Sequence, residues 1–135
     1  MRNHVLKWIV VLCFVVFLAA GCSDKVQLGG TVTYEDGTPL TVGSVVFSTD
    51  SFMASGNLDS QGKYRMGSLA VKDGLPKGTY KVYIAGAEEE ISMFATYSLI
   101  DPKFGNYNST PLTCEIPAPR NTFDIKVPRN PTPKP

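Results

Sequence analysis

Histidine is almost absent from this sequence, and cysteine is scarce. The one histidine, His4, stands near the start, and the three cysteines are Cys13, Cys22 and Cys114. From residue 5 onward there is no imidazole, so the chain's own residues cannot build a histidine triad, a Cys–His dyad or a histidine-containing metal site. An excess of charge of either sign is also missing, with 13 Lys and Arg against 12 Asp and Glu. The basic residues are scattered and not interleaved with aromatics, which argues against nucleic acid as a partner. No stretch of helical periodicity reaches the length that builds a domain, and no G-x-S-x-G nucleophile elbow occurs.

What is present begins at the N-terminus. Arg2 and Lys7 precede an unbroken apolar run from Trp8 to Ala20, and Leu18-Ala19-Ala20-Gly21 leads into Cys22. A basic start, a short apolar run and a small-residue exit make a secretory signal, too short for an ordinary transmembrane helix. The segment resembles the bacterial lipoprotein signal, with one departure: the favoured leucine stands one place early, at Leu18. The resemblance implies cleavage after residue 21 and a diacylglyceryl group on the Cys22 sulfur, often with a further acyl chain on the new amine. Each buried methylene contributes ~0.8 kcal/mol, so two or more chains hold where one is marginal. On this reading residues 1–21 are the signal peptide, residues 22–24 the lipidated anchor and linker, and the lipid bilayer a partner. Ser23, where the family's retention rule prefers Asp, points to the outer membrane of a bacterial envelope, although Asp24 follows one place later. With Cys22 acylated, Cys114 has no partner for a structural disulfide.

The rest, residues 25–135, suffices for one small domain. Lys25 to Glu35 alternates strictly, with Val26, Leu28, Gly30, Val32 and Tyr34 on one face, as a half-buried antiparallel strand does. Asp36-Gly37 is a turn signal. Thr41 to Ser48 reads as the next strand, and its consecutive Val45, Val46 and Phe47 call for a bulge or for burial on both faces. Ser51 to Leu58 reads as a short strand. Asp59 to Gly62 is a polar turn before Lys63 to Met66, in which Tyr64 and Met66 point inward. Lys72 to Gly78 reads as a loop, and Thr79 to Ala85 as a strand with Tyr80, Val82 and Ile84 on one side. Glu88 to Ala95 has the composition for a turn or two of helix. Leu112, Cys114 and Ile116, then Phe123, Ile125 and Val127, mark two closing strands. Six or seven short strands between Gly, Pro and Asp turns predict an all-β sandwich. Pro128 to Pro135 reads as a polyproline or flexible tail.

These phrases stand in an order that resembles the carboxypeptidase-regulatory-like, transthyretin-like (prealbumin-like) superfamily and its small bacterial lipoproteins. They are Val26-Gln27-Leu28-Gly29-Gly30-Thr31-Val32-Thr33-Tyr34 with Asp36-Gly37 and Pro39-Leu40, then Val45-Val46-Phe47. Asp59-Ser60-Gln61-Gly62-Lys63-Tyr64, Gly74-Leu75-Pro76-Lys77-Gly78-Thr79-Tyr80-Lys81-Val82 and Ser109-Thr110-Pro111-Leu112 follow. The resemblance covers residues 25–127 and implies a seven-stranded Greek-key β-sandwich serving as an accessory, adhesive or structural module. Family members that hydrolyse transthyretin-like substrates use active-site histidines, so that activity does not carry over.

The segment from Gly86 to Asn108 interrupts the strand rhythm. Its aromatics Phe94, Tyr97, Phe104 and Tyr107 either cover an open end of the sandwich, as a long loop must tie itself down, or form a platform for a peptide or glycan. Glu88-Glu89-Glu90 lacks the spacing of a calcium loop and reads as a solvated acidic turn. Cys114 lies on the apolar register of its strand and reads as a small core hydrophobe. No catalytic residue, metal or cofactor is expected. The function expected is a non-catalytic binding or structural module held at the envelope, with an envelope protein or a glycan as the second partner. The competing readings are a hydrolase using Ser/Lys or paired carboxylates and a purely structural assembly module.

Overall fold

A computed structural model describes residues 25–66 and 75–135. The signal segment, Cys22 and the first part of the Lys72–Gly78 loop lie outside the described residues. The described chain is all-β, its only helical segments being short 3-10 turns, and among the described residues no helix is long and apolar enough to cross a membrane.

The strands are β1 (Lys25–Val26), β2 (Gly29–Tyr34), β3 (Ser44–Ser48), β4 (Met53–Asn57), β5 (Lys63–Arg65), β6 (Leu75–Pro76), β7 (Gly78–Ala85), β8 (Glu88–Ser92), β9 (Ala95–Ser98), β10 (Leu112–Ile116) and β11 (Ile125–Val127). Four of them form one sheet in the order β10-β7-β3-β4, and three form another in the order β11-β2-β5. The pairs β1-β6 and β8-β9 stand as two-stranded ribbons.

Alternation decides what faces inward. Val32 and Tyr34 from β2, Tyr64 from β5 and Ile125 and Val127 from β11 join Phe47, Tyr80, Val82, Ile84, Cys114 and Ile116 from the larger sheet in one core. Phe47 sits edge-on to Phe123 at 5.9 Å, tying the two sheets together through aromatic contact. The backbones also approach closely. A Cβ on Gly30 would stand 2.2 Å from the Phe123 carbonyl oxygen, and one on Gly56 would stand 2.3 Å from that of Arg65. Only glycine fits at either place.

The run Val45-Val46-Phe47 is resolved in favour of two-sided burial. β3 pairs in unbroken register with β7 on one side and β4 on the other, so no bulge intervenes. Val45 and Phe47 point into the core, and Val46 is covered on the opposite face, 6% exposed, between its cross-strand neighbours Tyr83 and Ser55.

Three expectations change. The strand expected over Lys25–Glu35 divides at Gln27-Leu28, because β1 turns away to pair with β6 while β2 pairs with β5. β2 is antiparallel to β5 but parallel to β11, with Val32 opposite Ile125. The helical turn considered over Glu88–Ala95 is instead the first arm of the β8-β9 hairpin. Glu, Met and Ala are good helix formers, but intrinsic propensity is a weak prior, and cross-strand pairing overrides it here.

The tail is tied down locally. The Asn130 N–H donates to the Leu99 carbonyl at 3.2 Å and its side-chain amide to that of Ser98 at 2.9 Å. The Tyr97 hydroxyl donates to the Thr132 carbonyl at 2.7 Å. A tail expected to be flexible thus has defined partners on the hairpin, supplied by Asn130 and by the unpaired carbonyls that surround the prolines.

Candidate binding surface

The β8-β9 hairpin grows out of the end of β7. Gly86 turns the chain with φ 70°, Ala87 is buried against the core, and the Leu99 N–H closes the base by donating to the Ala87 carbonyl at 2.8 Å. Glu88 faces Ser98, Glu89 faces Tyr97 and Glu90 faces Thr96 across the ribbon, with a register shift between Glu90 and Ser92. Met93 and Phe94 form the two-residue turn at the tip. They are 90% and 95% exposed, the most exposed large apolar side chains among the described residues.

Alternation along β8 separates its carboxylates, with Glu88 and Glu90 on one face and Glu89 on the other. Glu89 meets Lys134 at 2.8 Å. The three therefore diverge rather than converge on a cation, and no group of three or more acidic, Cys or His side chains among the described residues is placed to hold a metal.

The four aromatics occupy four different surroundings. Phe94 is at the exposed tip. Tyr97 is half-buried on β9, with its hydroxyl committed to the tail. Phe104 sits in the 3-10 turn Pro102–Gly105, which Asp101 caps by accepting from the Lys103 N–H at 3.1 Å, and its ring is buried in the core. Tyr107 lies beside the larger sheet, where its hydroxyl donates to Asp50 at 3.1 Å and the Lys81 ammonium stands 4.6 Å from its ring. That bond to a carboxylate raises the phenol's pKa. Phe104 covers the core, Tyr97 and Tyr107 are fastened to neighbours, and Phe94 alone of the four is free of such ties.

Between the hairpin base and the 3-10 turn is an open hollow of about 190 Å³, bordered by Ile84, Glu88, Ile100 and Asn106. It is smaller than the roughly 300–1,000 Å³ typical of small-molecule pockets.

Among the described residues nothing elsewhere assembles reacting groups. Cys114 is 6% exposed, and burial pushes its thiol pKa up, the opposite of what a nucleophile needs. Ser60 and Lys63 have S-x-x-K spacing, but both are exposed on the β4–β5 turn. Asp59 in that turn accepts from the Gln61 and Lys63 N–H groups at 2.8 and 2.9 Å, which lowers its pKa and fixes the turn. The buried hydroxyls of Tyr64 and Tyr80 donate to the carbonyls of Phe123 and Pro76, as their strand positions suggest, and burial raises both pKa values.

Sequence reasoning named Phe94 but missed the tip as a unit, because Met93-Phe94 carries none of the Gly, Asn or Pro that marks a hairpin turn. The available signal was the β-prone Ala95-Thr96-Tyr97-Ser98 directly after Glu88–Ser92.

No family model matches the chain, and no curated protein matches it. Among solved structures it is similar to a DUF3823 family protein from Bacteroides ovatus, with 19% identity and a TM-score of 0.45. The match covers 76% of this chain and 44% of that one, so the chain spans less than half of that protein's length.

Proposed function

We propose that this chain is a lipid-anchored protein of the bacterial cell envelope, with a transthyretin-like sandwich that acts by binding rather than by catalysis. One observation carries the reading. β1, which begins three residues after Cys22, pairs with β6 at the start of β7, and the exposed hairpin leaves from the end of β7. β1 and the base of the hairpin therefore lie at opposite ends of β7, an arrangement suited to presenting a contact surface away from an anchored N-terminus. The seven strands of the two main sheets support the Greek-key sandwich, and Ser23 supports an outer-membrane destination. The hydrolase alternative gains no support, since Asp36 and Asp59 hold turn amides and Cys114 is buried.

Metabolic labelling with a radioactive or clickable palmitate tests the anchor. The parent chain should carry label and sediment with membranes, while Cys22→Ala should lose the label and its membrane retention. An unlabelled parent would sink the lipoprotein reading.

A further inference from the structure

We infer that the β8-β9 hairpin is a docking finger for a protein partner that offers an apolar pocket rimmed by basic side chains. This deepens the binding reading above and rests on it. Met93 and Phe94 stand together at the extremity of a two-stranded ribbon, almost wholly exposed, with no described residue covering them. A flexible thioether beside a rigid ring is a pair suited to filling a pocket. Aromatic anchors of this kind dominate protein interfaces when a partner desolvates them.

The charge beside the tip selects among occupants. Glu88 and Glu90 share one face of β8, both are exposed, and neither has an ion pair among the described residues. Glu89 on the opposite face is matched by Lys134. A finger with carboxylates on one face repels an anionic lipid surface and a second copy of itself, and attracts a cationic rim. The anchoring bilayer is also disfavoured by position, because β1 and the base of the hairpin lie at opposite ends of β7. A protein surface with a basic rim satisfies both the apolar and the charge requirement.

The test places a photoreactive benzophenone amino acid at position 94 of the full lipoprotein in its own cells, with Thr113 on β10 as a second labelling position. The expected result is a single protein adduct from position 94, competed away by unlabelled parent chain and lost in Met93→Ser and in Glu88→Lys with Glu90→Lys. That adducted protein, once purified, should bind the parent chain, with Met93→Ser plus Phe94→Ser weakening affinity by more than about tenfold. The Glu88→Lys, Glu90→Lys variant should reduce the association rate and its salt dependence. These substitutions are on exposed residues, and an unchanged thermal midpoint confirms that each variant folds. Adducts only with lipid, only with a second copy of this chain, or none above background would each overturn the finger. A protein adduct from position 113 alone would overturn it too, while leaving the wider binding role standing. Palmitate labelling of the same samples reports separately on the anchor.

Discussion

At the scale of single residues, the closest contacts make the sharpest predictions. A methyl group on Gly30 or Gly56 would strike backbone oxygen, which no side-chain movement relieves. Gly30→Ala and Gly56→Ala should each cost about 1–3 kcal/mol in urea denaturation, as other overpacked sites do. A parent-like midpoint would show that the strands can separate there. Tyr64→Phe leaves the Phe123 carbonyl without its donor and should cost about 1–3 kcal/mol. Asp36 makes a pH prediction. It accepts from the Thr38 N–H at 2.9 Å and from the Arg129 guanidinium at 3.2 Å, and the Thr38 bonds chiefly bring its pKa from 3.8 to about 2. A depressed carboxylate contributes stability above its unfolded pKa and loses it as pH falls through the folded value. The parent should therefore lose stability between pH 3.8 and about 2, and Asp36→Asn should flatten that limb while leaving the neutral-pH slope alone.

At the scale of elements, the tail and hairpin form a unit whose energetics differ from those of the core. The Lys134–Glu89 pair is exposed, so it adds little to global stability. Removing residues 130–135 should speed amide exchange in β9 and leave β2, β3 and β7 protected. Equal acceleration everywhere would make the tail part of the cooperative core. Most strands were legible because period-two alternation survives wherever one face is buried, as in Gly78–Ala85 and Leu112–Ile116. What remained hidden depended on distant partners. Val46 required neighbours on both edges, β1 required Leu75, and the parallel arrangement of β11 leaves no trace in its own alternation. The candidate surface was legible only as an interruption rich in aromatics. Whether each ring was free was settled by Thr132, Asp50 and the core, all far along the chain.

At the scale of the molecule, β7 sets a length. Eight residues at about 3.3 Å each place the hairpin base roughly 25 Å from β1. On the proposed lipid-anchored reading, a spin label at Ser92 of the protein in vesicles should relax with a water-soluble reagent and ignore an oxygen-rich bilayer. The opposite pattern would put the tip in lipid.

The pairing of β2 with β11 has a consequence for how the chain is made. Val32, Thr33 and Tyr34 find their parallel partners in Ile125, Lys126 and Val127, so a strand from the start of the domain waits for the last one to emerge. Such long-range closure comes late. While the C-terminal residues are still on the ribosome, the three-stranded sheet lacks a member and its half of the core stays open. For a chain exported as proposed above, that delay would favour passage unfolded through a translocation channel. Among the described strands β11 comes last, so the three-stranded sheet closes only once it has emerged.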